Sequence, residues 1–324
     1  MSLLPALDAR AEAFRKGPYL QWVTTSSVTI VWESDAELPG RVVVQSPVEP
    51  DRVVEAPLAR LQEVRVTDLS AGRRYSYAVE AGGERATGEL ITAPSGDEPF
   101  SFVVFGDSRS NADSHRVVVE RVRREVPDFI LGTGDMVNEG ASEKDWQVFF
   151  QVERQLLREN VLFPSLGNHD RQGRHRGADN YRKYFAVPDD SPDPERYYAF
   201  TYGNSRFLVL DSNSYSFALT DQTAWIEREL RLARENPAIQ HVFVNMHHPP
   251  YSISLHGGQP ELREMWTPIF ERFGVDAVFS GHDHCYARSQ MNNVRYFVSG
   301  GGGAPLYPRD PNPAPLDLSA AVYF

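Results

Sequence analysis

The sequence has 324 residues, 41% apolar and 24% charged, which is ordinary for globular proteins and long enough for two domains. Its formal net charge of −11, from 33 Lys and Arg against 44 Asp and Glu, argues against a nucleic-acid partner. The single cysteine, Cys285, excludes an intramolecular disulfide.

The start of the chain lacks a basic region followed by an apolar run, so no signal peptide is visible. No segment reaches the roughly 18 apolar residues of a membrane helix, and we therefore expect no membrane partner. The sequence leaves the oligomeric state open.

Residues 17–93 have the composition of an all-β domain. Strands are predicted at 28–32, 41–45 and 75–79, with Gly and Pro between them. A seven-stranded β-sandwich suits this length. The segment from Leu69 to Tyr77 resembles the turn of fibronectin type III domains in which a Tyr hydroxyl bonds to nearby backbone.

After a linker at 93–99 the pattern changes, and residues 99–324 are predicted to form an α/β domain. Short apolar runs typical of buried strands lie at 100–105, 129–131, 161–164, 207–210, 242–245, 277–279 and 296–298. Helices are predicted at 114–126, 142–158, 221–235 and 261–273, the last with a break near Pro268.

Five polar blocks follow these apolar runs, each at the carboxyl end of a predicted strand. They are Gly106-Asp107, Gly134-Asp135, Gly167-Asn168-His169-Asp170, His247-His248-Pro249 and Gly281-His282-Asp283-His284. In open α/β sheets, ligands bind beyond the carboxyl ends of the strands. Carboxylate, amide and imidazole donors suit divalent metal ions, so the blocks predict a site for two of them. Paired metal ions are typical of enzymes that hydrolyse phosphate esters.

The order of these blocks resembles the calcineurin-like metallophosphoesterases. The amino-terminal β region, Gly17-Pro18-Tyr19-Leu20-Gln21 and the stretch from His282 to Arg288 are most similar to the purple acid phosphatase branch. The resemblance implies an all-β sandwich followed by a four-layer α/β/β/α domain. It is also compatible with an exported protein whose leader has been removed.

The resemblance implies ligands for two metal ions, drawn from manganese, iron or zinc. Asp135 would bridge both ions through its two carboxylate oxygens. The other ligands would be Asn168, His247 and His282 at the second ion, and Asp107 and His284 at the first.

The resemblance also implies a mechanism for a small phosphorylated substrate. A hydroxide that bridges the metal ions would attack phosphorus. His169 would not bind metal and would protonate the leaving oxygen as the general acid. Asp170 would orient the imidazole of His169.

Two positions depart from the family pattern at the first metal ion. Arg109 stands where the family commonly has a His, and a guanidinium has no lone pair to offer. Asn138 stands where purple acid phosphatases have a Tyr, so we expect no purple colour. Three substitutes stay open: His115 at the start of the next helix, the amide oxygen of Asn138, or water.

Arg109 has two interpretations of its own. It could be a forked donor for phosphate oxygens, which makes it a candidate catalytic residue. It could instead form a salt bridge with a local carboxylate such as Asp113. Further along the chain, the run from Gly300 to Gly303 predicts a backbone that passes close to the metal loops and lines the pocket.

The leading hypothesis is metal-dependent hydrolysis of a phosphate mono- or diester. One alternative is a nucleotidase or cyclic-nucleotide phosphodiesterase, for which no aromatic base clamp is identified. Another is a non-catalytic binding protein that keeps metal ions for structure. The non-ligating His169 favours an enzyme, since a structural metal site has no use for it.

Overall fold

The computed structural model describes residues 14–171, 177–213, 218–313 and 322–323, and the side chains of 218–220 and 322–323 are not described. The prediction of no signal peptide rests largely on residues 1–13, which lie outside this range. The first five strands are β1 Phe14–Gln21, β2 Val28–Ser46, β3 Glu49–Val66, β4 Arg74–Ala81 and β5 Glu84–Ile91. They form one antiparallel sheet in the order β1-β2-β4-β5, with β3 paired to β2.

Five strands are found where seven were expected, because β2 and β3 are long. β2 pairs with β1 through residues 29–34 and with β4 through residues 40–45, and its pairing with β3 is irregular between these stretches. The predicted fibronectin-like turn is present, since the Tyr75 hydroxyl accepts a hydrogen bond from the Ser70 N–H at 2.8 Å.

The second region contains two sheets. A small parallel sheet consists of β6 Phe102–Phe105, β7 Phe129–Gly132 and β8 Val161–Pro164. A mixed sheet of seven strands consists of β9 Tyr198–Tyr202, β10 Ser205–Val209, β11 His241–Asn245, β12 Ala277–Ser280, β13 Tyr286–Met291, β14 Val294–Ser299 and β15 Val322–Tyr323. Every strand predicted for this region is found within a few residues, whereas β9 and β13 were not predicted.

The helices are α1 Ala112–Glu125, α2 Glu143–Glu159, α3 Asp179–Tyr184, α4 Ala218–Glu235, α5 Pro260–Met265 and α6 Thr267–Arg272. The predicted helix at 261–273 breaks at Trp266, two residues before Pro268, and α3 was not predicted. Among the described residues, no helix is long and apolar enough to cross a membrane.

The two sheets pack face to face, with a layer of helices outside each. The ring of Phe102 lies 5.4 Å from that of Phe207 and 5.7 Å from that of Phe243, between ring centroids. Buried residues of α1 and α2 join the core of the small sheet, and those of α4, α5 and α6 join that of the large sheet. The predicted all-β region followed by an α/β/β/α domain is therefore confirmed.

The β-sandwich is docked on the second region through buried polar contacts. The Tyr19 hydroxyl donates to the Tyr184 carbonyl at 2.7 Å, and the Tyr77 hydroxyl donates to the Arg158 carbonyl at 3.0 Å. Both tyrosines are buried in a core cluster that also includes residues of α2. These contacts reach Arg158 near the end of α2 and Tyr184 at the end of α3.

Candidate metal centre

The five predicted blocks converge at one edge of the two packed sheets. Asp107, Asp135 and Asn168 follow β6, β7 and β8, and His247 and His282 follow β11 and β12. Because these strands are parallel within each sheet, their carboxyl ends lie together. The His282 N–H donates to Asp107 Oδ2 at 2.9 Å, which joins a loop of one sheet to a loop of the other.

The loops approach so closely that glycine is required before the polar residues. A Cβ added to Gly167 would lie 2.2 Å from the Asp135 nitrogen, and one added to Gly106 would lie 2.1 Å from Thr133 Oγ1. Asp107 and Asp135 themselves adopt φ of 58° and 55°, a region that non-glycine residues rarely occupy. Strain of this kind clusters at functional sites.

At the second metal position, acceptor atoms of several side chains point toward one another. Asn168 Oδ1 lies 3.0 Å from His247 Nε2 and 3.2 Å from His282 Nδ1, and Asp135 Oδ1 lies 3.4 Å from His247 Nε2. The Thr133 carbonyl, 2.7 Å from His247 Nδ1, can only accept a hydrogen bond, so Nδ1 donates and the neutral ring has its lone pair on Nε2. Acceptors that converge in this way fit a cation, so these four side chains suit a bound metal ion.

The first metal position is different, because Arg109 lies in it. Asp107 Oδ1 and His284 Nε2 are 3.5 Å apart, and the Pro305 carbonyl holds His284 Nδ1 at 2.8 Å. Arg109 Nε donates to Asp135 Oδ2 at 3.1 Å, and Arg109 Nη2 lies 3.3 Å from His284 Nε2. The carboxylate partner of Arg109 is therefore Asp135.

The proposed salt bridge from Arg109 to Asp113 is thus wrong. Asp113 lies in the first turn of α1 and pairs with Arg116, one turn further along the same helix. The sequence neighbour was the wrong partner because α1 directs it away from the metal loops. Arg109 instead reaches back to Asp135, the carboxylate predicted from the resemblance to bridge the two metal ions.

His115, one of the candidate substitute ligands, contacts other groups in the structure. Its ring is buried, with Nδ1 2.7 Å from the Gly302 carbonyl and Nε2 2.9 Å from Glu153 Oε1. Its Nδ1 is therefore held by the Gly302 carbonyl, and its Nε2 lies beside the Glu153 carboxylate. Asn138 is also engaged, because its Oδ1 accepts from Ser110 Oγ at 3.1 Å and lies 3.4 Å from Arg109 Nη1.

Asp170 is wrong as the residue that orients His169. Its buried carboxylate accepts hydrogen bonds at 2.8–3.2 Å from four backbone N–H groups, those of Asp135, Met136, Val137 and Gly167. These bonds fix the loops that carry Asp135 and Asn168. The His169 ring is oriented by the Asn138 carbonyl, 2.8 Å from its Nδ1.

Two residues near the site were missed from sequence. The exposed His256 ring packs 4.8 Å from the His282 ring, and the Tyr307 ring stacks on that of His284 with centroids 4.0 Å apart. Tyr307 is carried there by the run from Gly300 to Gly303, which passes as close to the metal loops as predicted. A Cβ added to Gly302 would lie 2.2 Å from the Gly106 carbonyl oxygen.

Burial shapes the charge of the site. It raises the pKa of Asp107, and the neighbouring Asp135 adds to that shift. Burial also lowers the pKa of His282, with His247 as the next contribution, and lowers that of His284. Neutral imidazoles are the form that binds metal, and a cation here would draw the buried carboxylates back to their charged form.

Residues 100–286 match the family model of the calcineurin-like phosphoesterases. An uncharacterised protein of Mycobacterium tuberculosis is 30% identical over 268 residues, which cover 71% of this chain and 51% of that protein. The chain therefore spans about half the length of this curated relative. A purple acid phosphatase of Glycine max is 25% identical over 95% of this chain and 68% of its own length.

The fold is shared with a solved purple acid phosphatase from yellow lupin seeds. The TM-score is 0.80 at 17% identity, and the match covers 95% of this chain and 68% of the lupin chain. At this identity the likeness concerns the fold, and it includes the β-sandwich as well as the two packed sheets.

Proposed function

The chain belongs to the calcineurin-like phosphoesterase family, and on this basis we propose that it hydrolyses phosphate mono- or diesters in a metal-dependent reaction. The observation that carries the proposal is the second metal position. There Asp135, Asn168, His247 and His282 turn acceptor atoms toward one another, with His169 beside them.

These four side chains would hold the metal ion, and their mixed oxygen and nitrogen donors suit manganese, iron or zinc. A bound ion supplies Lewis-acid polarisation of the phosphoryl group and activation of the attacking water. The buried carbonyl of Thr133 sets the tautomer of His247, so that its Nε2 lone pair faces the ion.

His169 supports an enzyme rather than a structural metal protein. Its backbone N–H donates to Asp135 Oδ1 at 2.9 Å, which ties it to the metal loops. The Asn138 carbonyl accepts a hydrogen bond from its Nδ1, so it is the imidazolium form that would present an Nε2 proton to the leaving oxygen. Protonation of the leaving oxygen by such a group typically contributes 10²–10⁴-fold to the rate.

Space for a leaving group lies beside Arg109 and Asn138. A cavity of about 400 Å³ opens there, and its walls include the apolar side chains of Val148, Phe149 and Val152. Small aryl phosphates match these dimensions and this mixture of polar and apolar surface. They are therefore the substrates with which to test the proposal.

The test is hydrolysis of p-nitrophenyl phosphate and bis(p-nitrophenyl) phosphate by the metal-loaded chain. We expect turnover of at least one ester, its loss on chelation, and its recovery when metal is returned. His169→Ala should lose activity, whereas His241→Ala, a change of the same type at an exposed site on β11, should not. Full activity in His169→Ala would contradict the general-acid mechanism. Failure of the metal-loaded wild type to hydrolyse either ester would contradict the proposed function.

A further inference from the structure

We propose that the guanidinium of Arg109 takes the place of the first metal ion, so that this chain binds a single metal ion. The proposal rests on the proposed function, because the retained ion is the one at Asn168, His247 and His282. It departs from the two-ion site that the sequence resemblance implies.

Arg109 makes two of the contacts that the first metal ion would make. Its Nε donates to Asp135 Oδ2 at 3.1 Å, and its Nη2 lies 3.3 Å from His284 Nε2. His284 Nδ1 donates to the Pro305 carbonyl, so in the neutral ring the Nε2 that faces Arg109 carries a lone pair. One guanidinium thus contacts two of the three acceptors that the resemblance assigns to the first ion, Asp135 and His284.

The substitute ligands expected for a first ion are engaged elsewhere. His115 turns its ring toward Glu153 and the Gly302 carbonyl, as described above. The Asn138 oxygen accepts from Ser110 and lies within 3.4 Å of Arg109 itself. Arg109 cannot become a ligand by losing its proton, because a guanidinium stays charged in proteins.

Charge balance also favours one ion. The carboxylates of Asp107 and Asp135 are buried, and the Arg109 side chain is 14% exposed. One divalent ion and one guanidinium already exceed the charge of the two carboxylates. A second divalent ion at contact distance from the guanidinium would add strong repulsion in a poorly solvated site.

Asp107 can serve the retained ion. Its Oδ1 is buried without a hydrogen-bond partner. Ligand atoms of Asp107, Asp135 and His247 lie within 4.8 Å of one another, which is one of two such groups among the described residues. The other contains His247, His248 and His282, and His284 belongs to neither. Of the three histidines predicted as ligands, His247, His282 and His284, only the one that Arg109 contacts belongs to neither group.

The test is the stoichiometry of Mn²⁺ binding to the full chain after chelation, measured by equilibrium dialysis, with electron paramagnetic resonance to distinguish an isolated ion from a coupled pair. Wild type should bind one Mn²⁺ with the spectrum of an isolated ion. Arg109→His, which returns a ligand to the first position, should bind two with a coupled spectrum. Arg116→His, the same change at an exposed residue of α1, should still bind one.

A second variant keeps the test decisive if Arg109→His does not fold. Asn168→Ala should bind no Mn²⁺, because it damages the single site, whereas a two-ion protein would keep its first ion. Two ions in wild type would overturn the proposal, and so would an Arg109→His variant that folds and binds one. If wild type binds one ion but hydrolyses no ester, the proposed function is contradicted and the single-ion inference is supported.

Discussion

The two predicted metal positions of this chain are built from similar parts and differ in one side chain. In each, a backbone carbonyl holds one nitrogen of a histidine and turns the other inward, Thr133 for His247 and Pro305 for His284. At the second position the inward nitrogen meets the amide oxygen of Asn168, another acceptor. At the first it meets the guanidinium of Arg109. Converging acceptor atoms with no donor between them therefore indicate a metal position. The presence of a histidine does not indicate one by itself.

The largest effect is expected at the second position. His247→Ala removes a buried ligand, and we expect hydrolysis to fall by about a thousandfold or more, since metal activation supplies several kcal/mol. Mn²⁺ binding should be lost with it. Activity assays and dialysis on the same samples check this, with His241→Ala as the control. Retained Mn²⁺ binding in His247→Ala would show that the second position is not where the ion sits.

His169→Ala should have the next largest effect and should separate catalysis from metal binding. We expect a loss of roughly 10²–10⁴-fold in kcat, the range for a general acid, with Mn²⁺ stoichiometry unchanged. The loss should shrink for esters with better leaving groups, which need less protonation. A series of aryl phosphates provides the measurement. An equal loss across the series would argue against the general-acid role.

Asp170→Asn should weaken the loops beneath the metal centre without touching the ion. An amide cannot accept from four N–H groups as a carboxylate does, and at least one buried N–H left without a partner costs about 1–3 kcal/mol of unfolding free energy. Mn²⁺ affinity should fall by roughly 10–100-fold, as for other groups that support metal ligands. Denaturant unfolding and dialysis measure both. Asp113→Asn, at an exposed pair on α1, is the matched control, and equal stability of the two variants would contradict the role assigned to Asp170.

The smallest effect is expected at the first position. His284→Ala removes a partner of Arg109 and should leave one Mn²⁺ bound, with affinity reduced by less than about tenfold. Comparison with His247→Ala in the same dialysis experiment sharpens the contrast between the two histidines. Loss of the bound ion in His284→Ala would mean that the positions are not distinct in the way described.

The sequence predicted the elements that position the site, since the site follows from strand order. Asp107, Asp135, Asn168, His247 and His282 each follow an apolar run, and parallel strands carry such residues to one edge. Strand β13 was not predicted because its sequence is mostly polar and contains no run of apolar residues. These patterns are local, so each strand can be predicted from its own segment of the sequence.

The partners of individual side chains were not predictable in this way. Arg109 was excluded as a ligand from its chemistry alone, but its contact with Asp135 depends on two loops that meet only in the fold. The same holds for Asp170, whose four partners are backbone groups, and for His115, whose partners are Glu153 and Gly302. Sequence spacing offered Asp113 as one carboxylate for Arg109 and His169 as the partner of Asp170. In the structure Arg109 pairs with Asp135, and the Asp170 carboxylate accepts from backbone N–H groups.

The asymmetry between the two positions is tested most directly by anomalous scattering from a crystal of the Mn²⁺-loaded full chain. One anomalous peak is predicted, surrounded by Asp135, Asn168, His247 and His282, with the Arg109 guanidinium against Asp135 and His284. Two peaks on either side of Asp135, with Arg109 displaced from His284, would contradict the account.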